Sequence, residues 1–450
     1  MKPITLREVA AACKGTLYGD PEIKITSIVT DSRKAEKGSL FAAIRGGRVD
    51  GHDFIAQTAR QGAVCALCES APDADVPYIL VDSTLVALKG IAEYYRSLFT
   101  IPFIGVTGSV GKTSTKEFIS SVLAQKYRVH KTSGNFNNEL GVPLTLFGLG
   151  EEHEVAVIEM GISGFGEMTR LSKMVRPDIS VITNIGCCHL ENLGDRDGVL
   201  RAKTEMFTYL QPGGKIILCH DDDKLRTVTE YSGVRPIFYG TDPADEYYAD
   251  NIRELLLDGV RCTLHHGDHA IDVAIPAMGR HNVLNALCAM AVGSVLGLSD
   301  EQIRDGIADF RTVGSRNRVV FTCGMTVIDD CYNANPTSVR AGLDTLSRFS
   351  GRRVALLGDM KELGKDELSL HREIGACVRQ KGVDVLIAVG ALSRATAEGF
   401  GEGAIYFPTV DECIDRLPQL LREGDTVLVK ASHSMHFERI VEAMQEGEKA

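Results

Sequence analysis

A glycine-rich turn between a predicted strand and a predicted helix carries the clearest chemical signal in the sequence. Residues 101–106 are short, apolar and β-branched, which is typical of a buried strand. The turn that follows directs backbone N–H groups and a helix N-terminus at one point, which suits phosphate. Lys112 supplies a positive charge for the β- and γ-phosphates, and the Thr113 hydroxyl is a ligand for Mg²⁺. The turn therefore predicts a nucleoside triphosphate site at Thr107, Gly108, Ser109, Val110, Gly111, Lys112 and Thr113.

The spacing departs from the usual phosphate-loop pattern at one position. The first glycine of that pattern would fall at position 106, which is Val106. An ordinary glycine turn is the alternative interpretation, but Gly-Lys-Thr between a strand and a helix favours the phosphate site. The absence of this glycine reduces the number of phosphate-binding families to which the sequence can belong.

Composition and charge restrict the partners. The chain has 450 residues, of which 44% are hydrophobic and 24% charged, as in a soluble globular protein of about three domains. The net charge of −11 argues against nucleic acid or an anionic membrane as a partner, because either requires a basic face. ATP is also anionic, so the site must carry its own positive charge from Lys112, arginines and metal ions.

The N-terminal residues and the cysteines predict a cytoplasmic protein. The first ten residues carry charges and no apolar segment follows them, so we expect neither a secretory signal nor a membrane span. The 12 cysteines are scattered, which favours a reducing compartment. Cys65 and Cys68 lie in an apolar run without a second pair at zinc spacing, so we expect buried, unliganded thiols.

The order of apolar runs predicts an α/β protein of three domains. Residues 1–100 form a small α/β unit, residues 101–311 a doubly wound parallel sheet with the phosphate loop, and residues 312–450 a Rossmann-like, largely parallel α/β sheet. Ligands of such sheets collect beyond the carboxyl ends of the strands. Polar residues directly after apolar runs are therefore candidate site residues.

Two such residues are candidate metal ligands. Glu159 ends one apolar run, where a carboxylate would bind the Mg²⁺ of a nucleotide; a solvated glutamate at a strand end is the alternative. His189 follows another apolar run, and a lone histidine there is more often structural than functional. Its neighbours Cys187 and Cys188 do not predict a metal site, because adjacent thiols rarely chelate one tetrahedral ion.

Polar loops and amides supply further candidates. Segment 132–141 has three asparagines in four positions, which make a donor set for carboxylate or phosphoryl oxygens. Asn282 and Asn285 share one face of a predicted helix and either recognise an adenine edge or cap the helix. Segments 31–33 and 46–52 are either ordinary polar loops or a site for a sugar nucleotide.

The ordered combination of these motifs resembles the Mur ligases. The matching segments are Thr107-Gly-x-x-Gly-Lys-Thr113, Gly134-Asn-Phe-Asn-Asn138, Glu159-Met-Gly161, the His189 segment, Ala202-Lys-x-Glu205 and Gly279-x-His-Asn-x-x-Asn285. Downstream, Asp329-Asp-x-Tyr-Asn-Ala-Asn335 and Leu357-Gly-Asp-Met-Lys-Glu-Leu-Gly364 look like the family members that add D-alanyl-D-alanine. The match covers nearly the whole chain.

The resemblance implies an ATP-dependent amide ligase of cytoplasmic peptidoglycan precursor synthesis. It implies that the carboxylate of UDP-MurNAc-tripeptide attacks the γ-phosphate, and that the amine of D-Ala-D-Ala then displaces phosphate from the acyl phosphate. It also implies two Mg²⁺ ions, one held by Thr113 and Glu159 and the other by His189 and Lys203. A lysine ammonium cannot ligate a cation, and the family carbamylates the equivalent lysine with CO₂, which supplies oxygen donors.

The same resemblance implies roles for the other site residues. The catalytic residues would be Lys112, Asn138, Glu159, His189 and Lys203. ATP would also contact Asn282, Asn285, Arg316 and Asp330, and D-Ala-D-Ala would lie near Asn333 and Asn335. The UDP precursor would bind at Ser32, Arg33, Gly46, Asp50 and His52.

The chain departs from the family pattern at two further places. The family has Gly-Arg where this chain has Ser315-Arg316. The family also has Lys-Gly-Ser-Arg where this chain has Lys430-Ala-Ser-His433, and a histidine cannot make the bidentate carboxylate contact of an arginine. We therefore assign no site role to His433.

Three other kinds of protein could share some of these motifs. A regulatory GTPase would share the phosphate loop, but the sequence has no Asn-Lys-x-Asp motif for guanine. A non-catalytic sensor would bind UDP precursors without releasing phosphate. Within the family, motif 329–335 argues against the diaminopimelate- or lysine-adding ligases and the folylpolyglutamate ligases. The sequence leaves open the third residue of the tripeptide, and we expect a monomer.

Overall fold

The computed structural model describes residues 1–47 and 49–446. Arg48, in the predicted precursor loop, and residues 447–450, at the end of the third predicted unit, lie outside the described residues. The described chain is an α/β protein with three successive sheet-based units, which confirms the predicted fold class.

The first unit is a small sheet with helices packed on it. Its elements are β1 (Ile4–Thr5), α1 (Leu6–Cys13), β2 (Thr16–Tyr18), β3 (Lys24–Ile25), β4 (Ser27–Val29), β5 (Ser39–Ala42), α2 (Ile55–Gln61), β6 (Cys65–Cys68), β7 (Tyr78–Leu80) and α3 (Thr84–Ser97). The strand order is β2-β7-β6-β5-β4, and β2 is the antiparallel edge strand. Strands β4 and β5 are parallel neighbours, so the loops after them leave the same edge of the sheet. Cys65 and Cys68 are buried, free thiols, as predicted.

The central unit is a nine-stranded sheet with helices on its faces. Its elements are β8 (Phe103–Thr107), α4 (Lys112–Leu123), β9 (Val129–Lys131), α5 (Gly141–Phe147), β10 (Val155–Glu159), α6 (Glu167–Val175), β11 (Ile179–Ile182), α7 (Leu190–Leu193), α8 (Arg196–Thr204), β12 (Lys215–Cys219), β13 (Ile237–Gly240), β14 (Tyr247–Glu254), β15 (Val260–His266), β16 (His269–Ile275), α9 (His281–Val295) and α10 (Asp300–Ala308). The strand order is β16-β15-β14-β13-β12-β11-β8-β10-β9.

Strand β8 lies between β10 and β11, and all three are parallel. Glu159 pairs in register with Val106, and Ile182 pairs with Thr107. Because the carboxyl ends of parallel strands meet at one edge, the phosphate loop, Glu159 and the segment after β11 converge. This register is the part of the fold that builds the site.

The far side of the central sheet departs from the parallel arrangement that the sequence predicts for this unit. Strands β14, β15 and β16 are antiparallel, and Gly267 and Asp268 form the two-residue turn between β15 and β16. Gly267 has φ +55°, the left-handed backbone that such a tight hairpin turn requires. Hairpins need no crossover helix, so this edge grows without the alternation of strand and helix.

The third unit is a six-stranded sheet with its own helices. Its elements are β17 (Arg318–Thr322), β18 (Met325–Asp329), α11 (Pro336–Leu346), β19 (Arg353–Gly358), α12 (Glu367–Gln380), β20 (Val385–Val389), α13 (Ser393–Phe400), β21 (Ile405–Phe407), α14 (Val410–Leu420), β22 (Thr426–Lys430) and α15 (Glu438–Glu446). The order is β17-β18-β22-β19-β20-β21, parallel except for β17.

Among the helices of residues 1–47 and 49–446, none combines the length and the apolar composition that a membrane crossing requires.

Candidate active site

A cavity of about 630 Å³ lies between the central and third units, at the carboxyl ends of their strands. The lining includes most of the residues that the sequence singles out, and it draws them from both units. These residues are Ser109, Val110, Gly111, Lys112, Thr113, Asn138, Glu159, His189, Asn282, Asn285, Arg316, Asp330, Asn333 and Asn335. The geometry therefore brings together residues that lie more than 200 positions apart in the chain.

The phosphate loop is held by the end of β11. Asn184 accepts hydrogen bonds from the backbone N–H groups of Ser109 (3.0 Å, through its carbonyl) and Val110 (2.9 Å, through Oδ1). The Thr183 hydroxyl donates to the Val110 carbonyl at 2.6 Å. Lys112 Nζ, on the cavity side of the loop, donates to the Gly108 carbonyl at 2.9 Å. Sequence reasoning missed Asn184, although it lies two residues beyond the end of β11, and a polar residue at the end of an apolar run is the signal that identified Glu159.

Gly108 is packed against β11 so closely that no larger residue fits. A Cβ atom at this position would lie 1.9 Å from Thr183 Oγ1 and 3.2 Å from the Thr183 backbone nitrogen. Thr183 is itself fixed by its bond to the loop, so it cannot move aside without breaking that bond.

We expect Gly108→Ala to lower the free energy of unfolding by about 1–3 kcal/mol, the usual cost of overpacking, and to weaken ATP binding. Urea unfolding and isothermal titration with ATP measure the two effects. Gly213→Ala is the matched control, because Gly213 (φ +78°) has a positive φ as Gly108 does (φ +153°), but no atom lies within 4 Å of its added Cβ. Equal losses in the two variants would show that backbone strain, not the contact with Thr183, is the cause.

Glu159 is buried (1% exposed), which excludes the alternative of a solvated strand-end glutamate. Its Oε2 accepts a hydrogen bond from the Thr113 hydroxyl at 2.8 Å, and its Oε1 accepts one from Asn137 Nδ2 at 2.7 Å. A carboxylate and a hydroxyl side by side are oxygen donors of the kind that Mg²⁺ prefers. The residues present therefore fit the ion that the sequence predicts.

Two of the three asparagines in the amide-rich loop, Asn137 and Asn138, have different partners. Asn137 bonds Glu159, as described above. Asn138 lines the cavity, but its Oδ1 accepts hydrogen bonds from the N–H groups of Leu140 (3.1 Å) and Gly141 (2.8 Å) at the start of α5. The sequence predicts a donor set that includes both asparagines, and the family resemblance gives a catalytic role to Asn138 alone, because adjacent asparagines give no signal that distinguishes them.

Lys116, one helical turn after Lys112, is a second lysine at the site that sequence reasoning missed. It is 1% exposed, its Nζ donates to the Thr132 carbonyl at 2.6 Å, and it lies 3.7 Å from Glu159 Oε2. Its positive charge balances buried carboxylates at Glu159 and Glu117. The i, i+4 spacing of the two lysines is the signal that could have found it.

His189 and Lys203 differ in their surroundings. Lys203 is 1% exposed, and no hydrogen-bond or ion-pair partner for it exists within the described ranges; burial lowers its pKa to about 8. His189 lines the cavity, and its Nδ1 lies 2.6 Å from Oε2 of Glu362 in the third unit. This contact lowers the pKa of the Glu362 carboxyl. The neighbouring thiol of Cys188 donates to the hydroxyl of Ser109 at 3.1 Å, so it packs on the phosphate loop.

Asn282 and Asn285 form a chain of hydrogen bonds at the wall of the cavity. The Thr115 hydroxyl donates to Asn285 Oδ1 (2.8 Å), Asn285 Nδ2 donates to Asn282 Oδ1 (2.9 Å), and Asn282 Nδ2 donates to the Met278 carbonyl (2.8 Å). No side chain caps α9 by a hydrogen bond, so helix capping does not explain these asparagines. Their position in the cavity leaves recognition of the nucleotide base as the open alternative.

Residues of the third unit complete the lining. Lys430 Nζ donates to Asp330 Oδ2 at 2.6 Å and to the Asn333 carbonyl at 2.9 Å. The Arg316 guanidinium lies 3.7 Å from the ring centre of Tyr332, and His433 is tilted against the same ring at 5.5 Å.

Asn333 and Asn335 are both predicted to lie near the dipeptide, but they differ in how many hydrogen-bonding groups remain for a ligand. Asn335 is the N-cap of α11 and accepts a hydrogen bond from the Ser338 N–H at 2.9 Å. Asn333 is exposed, its Oδ1 accepts a hydrogen bond from the Ala334 N–H, and its amide nitrogen makes no hydrogen bond within the described residues. Asn333 is therefore the better placed of the two to contact a ligand.

The predicted precursor residues of the first unit lie outside this cavity. Ser32 and Arg33 form a turn after β4, where the exposed Arg33 guanidinium pairs with both oxygens of Asp31. His52 has both ring nitrogens occupied, by Asp50 Oδ1 at 2.6 Å and by the Glu69 N–H at 2.9 Å. Gly46 and Asp50 belong to the loop after β5, at the same edge of the sheet as Ser32.

Three family models match successive parts of the chain. They are "Mur ligase family, catalytic domain" over residues 24–96, "Mur ligase middle domain" over residues 106–293 and "Mur ligase, glutamate ligase domain" over residues 315–433.

Two relatives that match nearly the whole chain carry the same name. The chain is 36% identical to the UDP-N-acetylmuramoyl-tripeptide–D-alanyl-D-alanine ligase of Bacillus subtilis, with 98% of each chain covered. It is 35% identical to the Escherichia coli protein of the same name, with 99% of each chain covered.

Two solved structures of MurF proteins superpose on this chain over nearly its whole length. MurF from Acinetobacter baumannii superposes with a TM-score of 0.93 at 33% identity, with 99% of each chain covered. MurF ligase from Thermotoga maritima in complex with ADP superposes with a TM-score of 0.83 at 28% identity, with 94% of this chain and 98% of that chain covered. Identity above 30% over nearly the whole length, on this fold and with these motifs, shows that the chain belongs to the Mur ligase family.

Proposed function

We propose that this chain is an ATP-dependent ligase that joins D-alanyl-D-alanine to UDP-N-acetylmuramoyl-tripeptide and forms ADP and phosphate. The observation that carries the proposal is the cavity between the central and third units. There the phosphate loop, Glu159 and His189 face the polar residues of the third unit. The full-length relatives, which bear the name of this reaction, and the ADP complex of a structural neighbour support it.

The chemical obstacle is that a carboxylate must attack a triphosphate, so two anions must meet. Positioning and fixed positive charge are the means by which a protein lowers such a barrier. The loop N–H groups, the N-terminus of α4 and Lys112 hold the phosphates, and Arg316 adds charge from the third unit. The tripeptide carboxylate then attacks the γ-phosphate and ADP leaves, which gives an acyl phosphate; the dipeptide amine attacks the acyl carbon, loses a proton and displaces phosphate.

Two Mg²⁺ ions fit the oxygen and nitrogen donors of the site. Thr113 and Glu159 would hold one ion, and His189 with carbamylated Lys203 the other. Bound Mg²⁺ neutralises phosphate charge and orients the oxygens of the transferring group. Asn137 holds Glu159 at Oε1, and Lys116 balances its charge, so the carboxylate is oriented and paired before any ion binds.

Carbamylation of Lys203 is supported by its burial without a partner. A buried ammonium without an acceptor is costly, whereas a neutral amine can add CO₂. We expect Lys203→Ala to lose about 10²-fold or more in turnover and to recover part of it with a short carboxylic acid or high bicarbonate. Arg201→Ala, an exposed neighbour on α8, should keep its turnover and should not respond to the acid. Absence of rescue in folded Lys203→Ala would contradict the carbamate.

We assign the substrates to the three units by position. Residues 1–100 bind the UDP precursor through the loops after β4 and β5, residues 101–311 bind ATP, and residues 312–450 bind the amino substrate. In the first unit, the ring nitrogens of His52 bond Asp50 and the Glu69 N–H, so they order the loop and are not available to hydrogen-bond the nucleotide. A monomer and a cytoplasmic location stay predictions from the sequence.

Phosphate release tests the proposal. With ATP, UDP-MurNAc-tripeptide, D-Ala-D-Ala and Mg²⁺ present, we expect steady release of one phosphate per amide formed. Omission of any one substrate should abolish it. A sensor of UDP precursors would bind the nucleotide sugar but release no phosphate, and a GTPase would prefer GTP to ATP in competition.

A further inference from the structure

A loop of the third unit contacts the segment that carries His189. The motif 357–364, to which the sequence analysis gives no role, ends β19 and forms this loop. Glu362 Oε2 lies 2.6 Å from His189 Nδ1. Nδ1 is buried and makes no aligned hydrogen bond within the described residues, and the Glu362 carboxylate is the charged group that faces it. The histidine of one unit therefore faces a carboxylate of another.

The loop is fixed to its own unit, so Glu362 cannot follow His189 independently. The Met360 N–H donates to His371 Nε2 at 3.0 Å, and the Lys361 N–H donates to the Ser432 hydroxyl at 2.9 Å. Lys361 Nζ also donates to Asp359 Oδ2 at 2.8 Å. The position of the carboxylate is therefore determined by the third unit as a whole.

Both partners have unusual backbone conformations. Glu362 has φ +64° and His189 has φ +52°, and both values lie in the left-handed region that residues with a Cβ rarely adopt. Gly364 allows the close approach of the two segments, because a Cβ there would lie 3.2 Å from the Glu191 nitrogen. Strained conformations of this kind persist where the surrounding structure holds them and concentrate at functional sites.

A metal-ligating histidine usually donates its second ring N–H to a carboxylate, which fixes the tautomer and orients the ring. We propose that Glu362 is the positioning residue that orients His189 in this way, through Nδ1. Neutral His189 then carries its proton on Nδ1 and its lone pair on Nε2. The inference rests on the proposed function, because the metal role of His189 belongs to it.

The consequence is that the third unit helps to complete a metal site of the central unit. When the loop contacts His189, the imidazole is oriented; when the two units separate, the orientation is lost. The competing interpretation is that Glu362 only adds an ion pair to the interface between the units. That interpretation predicts a change in stability without a change in the imidazole.

The tautomer of His189 distinguishes the two interpretations without any metal or turnover. The measurement is the two-bond ¹⁵N–¹H correlation spectrum of metal-free protein with ¹⁵N-labelled histidines, and His189→Gln assigns the signal. We expect the Nδ1–H tautomer in the wild type, mostly Nε2–H in Glu362→Ala, and an intermediate state in Glu362→Gln, which keeps an acceptor. An Nε2–H tautomer in the wild type, or an unchanged tautomer in both variants, overturns the proposal.

Metal affinity supplies the second readout. Mn²⁺ binding in the presence of ADP, followed by electron paramagnetic resonance, should weaken about 10- to 100-fold in Glu362→Ala, the usual effect of losing such a partner. Glu398→Gln, which removes an exposed carboxylate paired with Arg372 in the same unit, is the control and should bind Mn²⁺ normally. Unchanged Mn²⁺ affinity in Glu362→Ala also overturns the proposal.

The proposed function and the positioning role of Glu362 can be refuted independently of each other. Wild-type protein that releases no phosphate with all substrates refutes the proposed function, whatever the tautomer is. Wild-type turnover together with an imidazole that does not respond to Glu362 refutes only the positioning role. If circular dichroism shows that Glu362→Ala does not fold, the tautomer of His189 and the Mn²⁺ affinity are measured in Glu362→Gln. We expect changes in the same direction, but smaller.

Discussion

Replacing Lys112 by alanine should reduce phosphate release in the presence of all substrates by about 10²-fold or more, while the fold stays intact. Lys112 lies on the cavity side of the loop and bonds only the Gly108 carbonyl within the described chain. Its loss therefore removes a charge aimed at the phosphates but little packing. Steady-state phosphate release gives the rate, and circular dichroism with thermal unfolding tests the fold.

Lys215→Ala is the control for this variant. Lys215 is an exposed lysine at the start of β12 in the same unit, and its side chain lies outside the cavity. Its loss changes the net charge equally and should leave turnover near the wild-type value. If Lys112→Ala kept normal turnover with a normal spectrum, the phosphate loop would not be the site of the reaction.

Replacing Glu159 by glutamine should also lower turnover by about 10²-fold or more and raise the Mg²⁺ concentration required for half-maximal rate. Glutamine preserves the size of the side chain and an acceptor for Thr113, but it removes the negative charge that a metal ligand needs. It also leaves buried Lys116 with Glu117 as its remaining ion-pair partner. Titration of Mg²⁺ at saturating ATP measures the effect.

Glu154→Gln is the matched variant on the same segment. Glu154 directly precedes β10 and is exposed, and its carboxylate accepts a hydrogen bond from the Arg128 N–H. It should show wild-type Mg²⁺ dependence. An identical Mg²⁺ titration for Glu159→Gln and Glu154→Gln would remove Glu159 from the metal site.

Much of the site could be predicted from the position of polar residues directly after apolar runs. Glu159 and His189 each follow an apolar run, and the carboxyl ends of parallel strands meet at one edge. That rule predicts both side chains at one edge of the central sheet, which is where the cavity lies. The glycine turn is equally local, since its strand, loop and helix are contiguous in the chain.

What the sequence could not supply depends on contacts between distant segments. The choice between Asn137 and Asn138 depends on which amide the loop turns toward Glu159. The contact of Glu362 with His189 depends on how the third unit packs on the central one. The antiparallel edge of the central sheet is a third case, because a hairpin and a crossover begin with similar apolar runs.

The most direct test of the account is a crystal structure with Mg²⁺ and a non-hydrolysable ATP analogue. We expect the phosphates to lie against the loop 107–113, with Lys112 beside them and a metal ion beside Thr113 and Glu159. A triphosphate bound elsewhere in the molecule, or bound at the loop with no ion near Glu159 or His189, would contradict it.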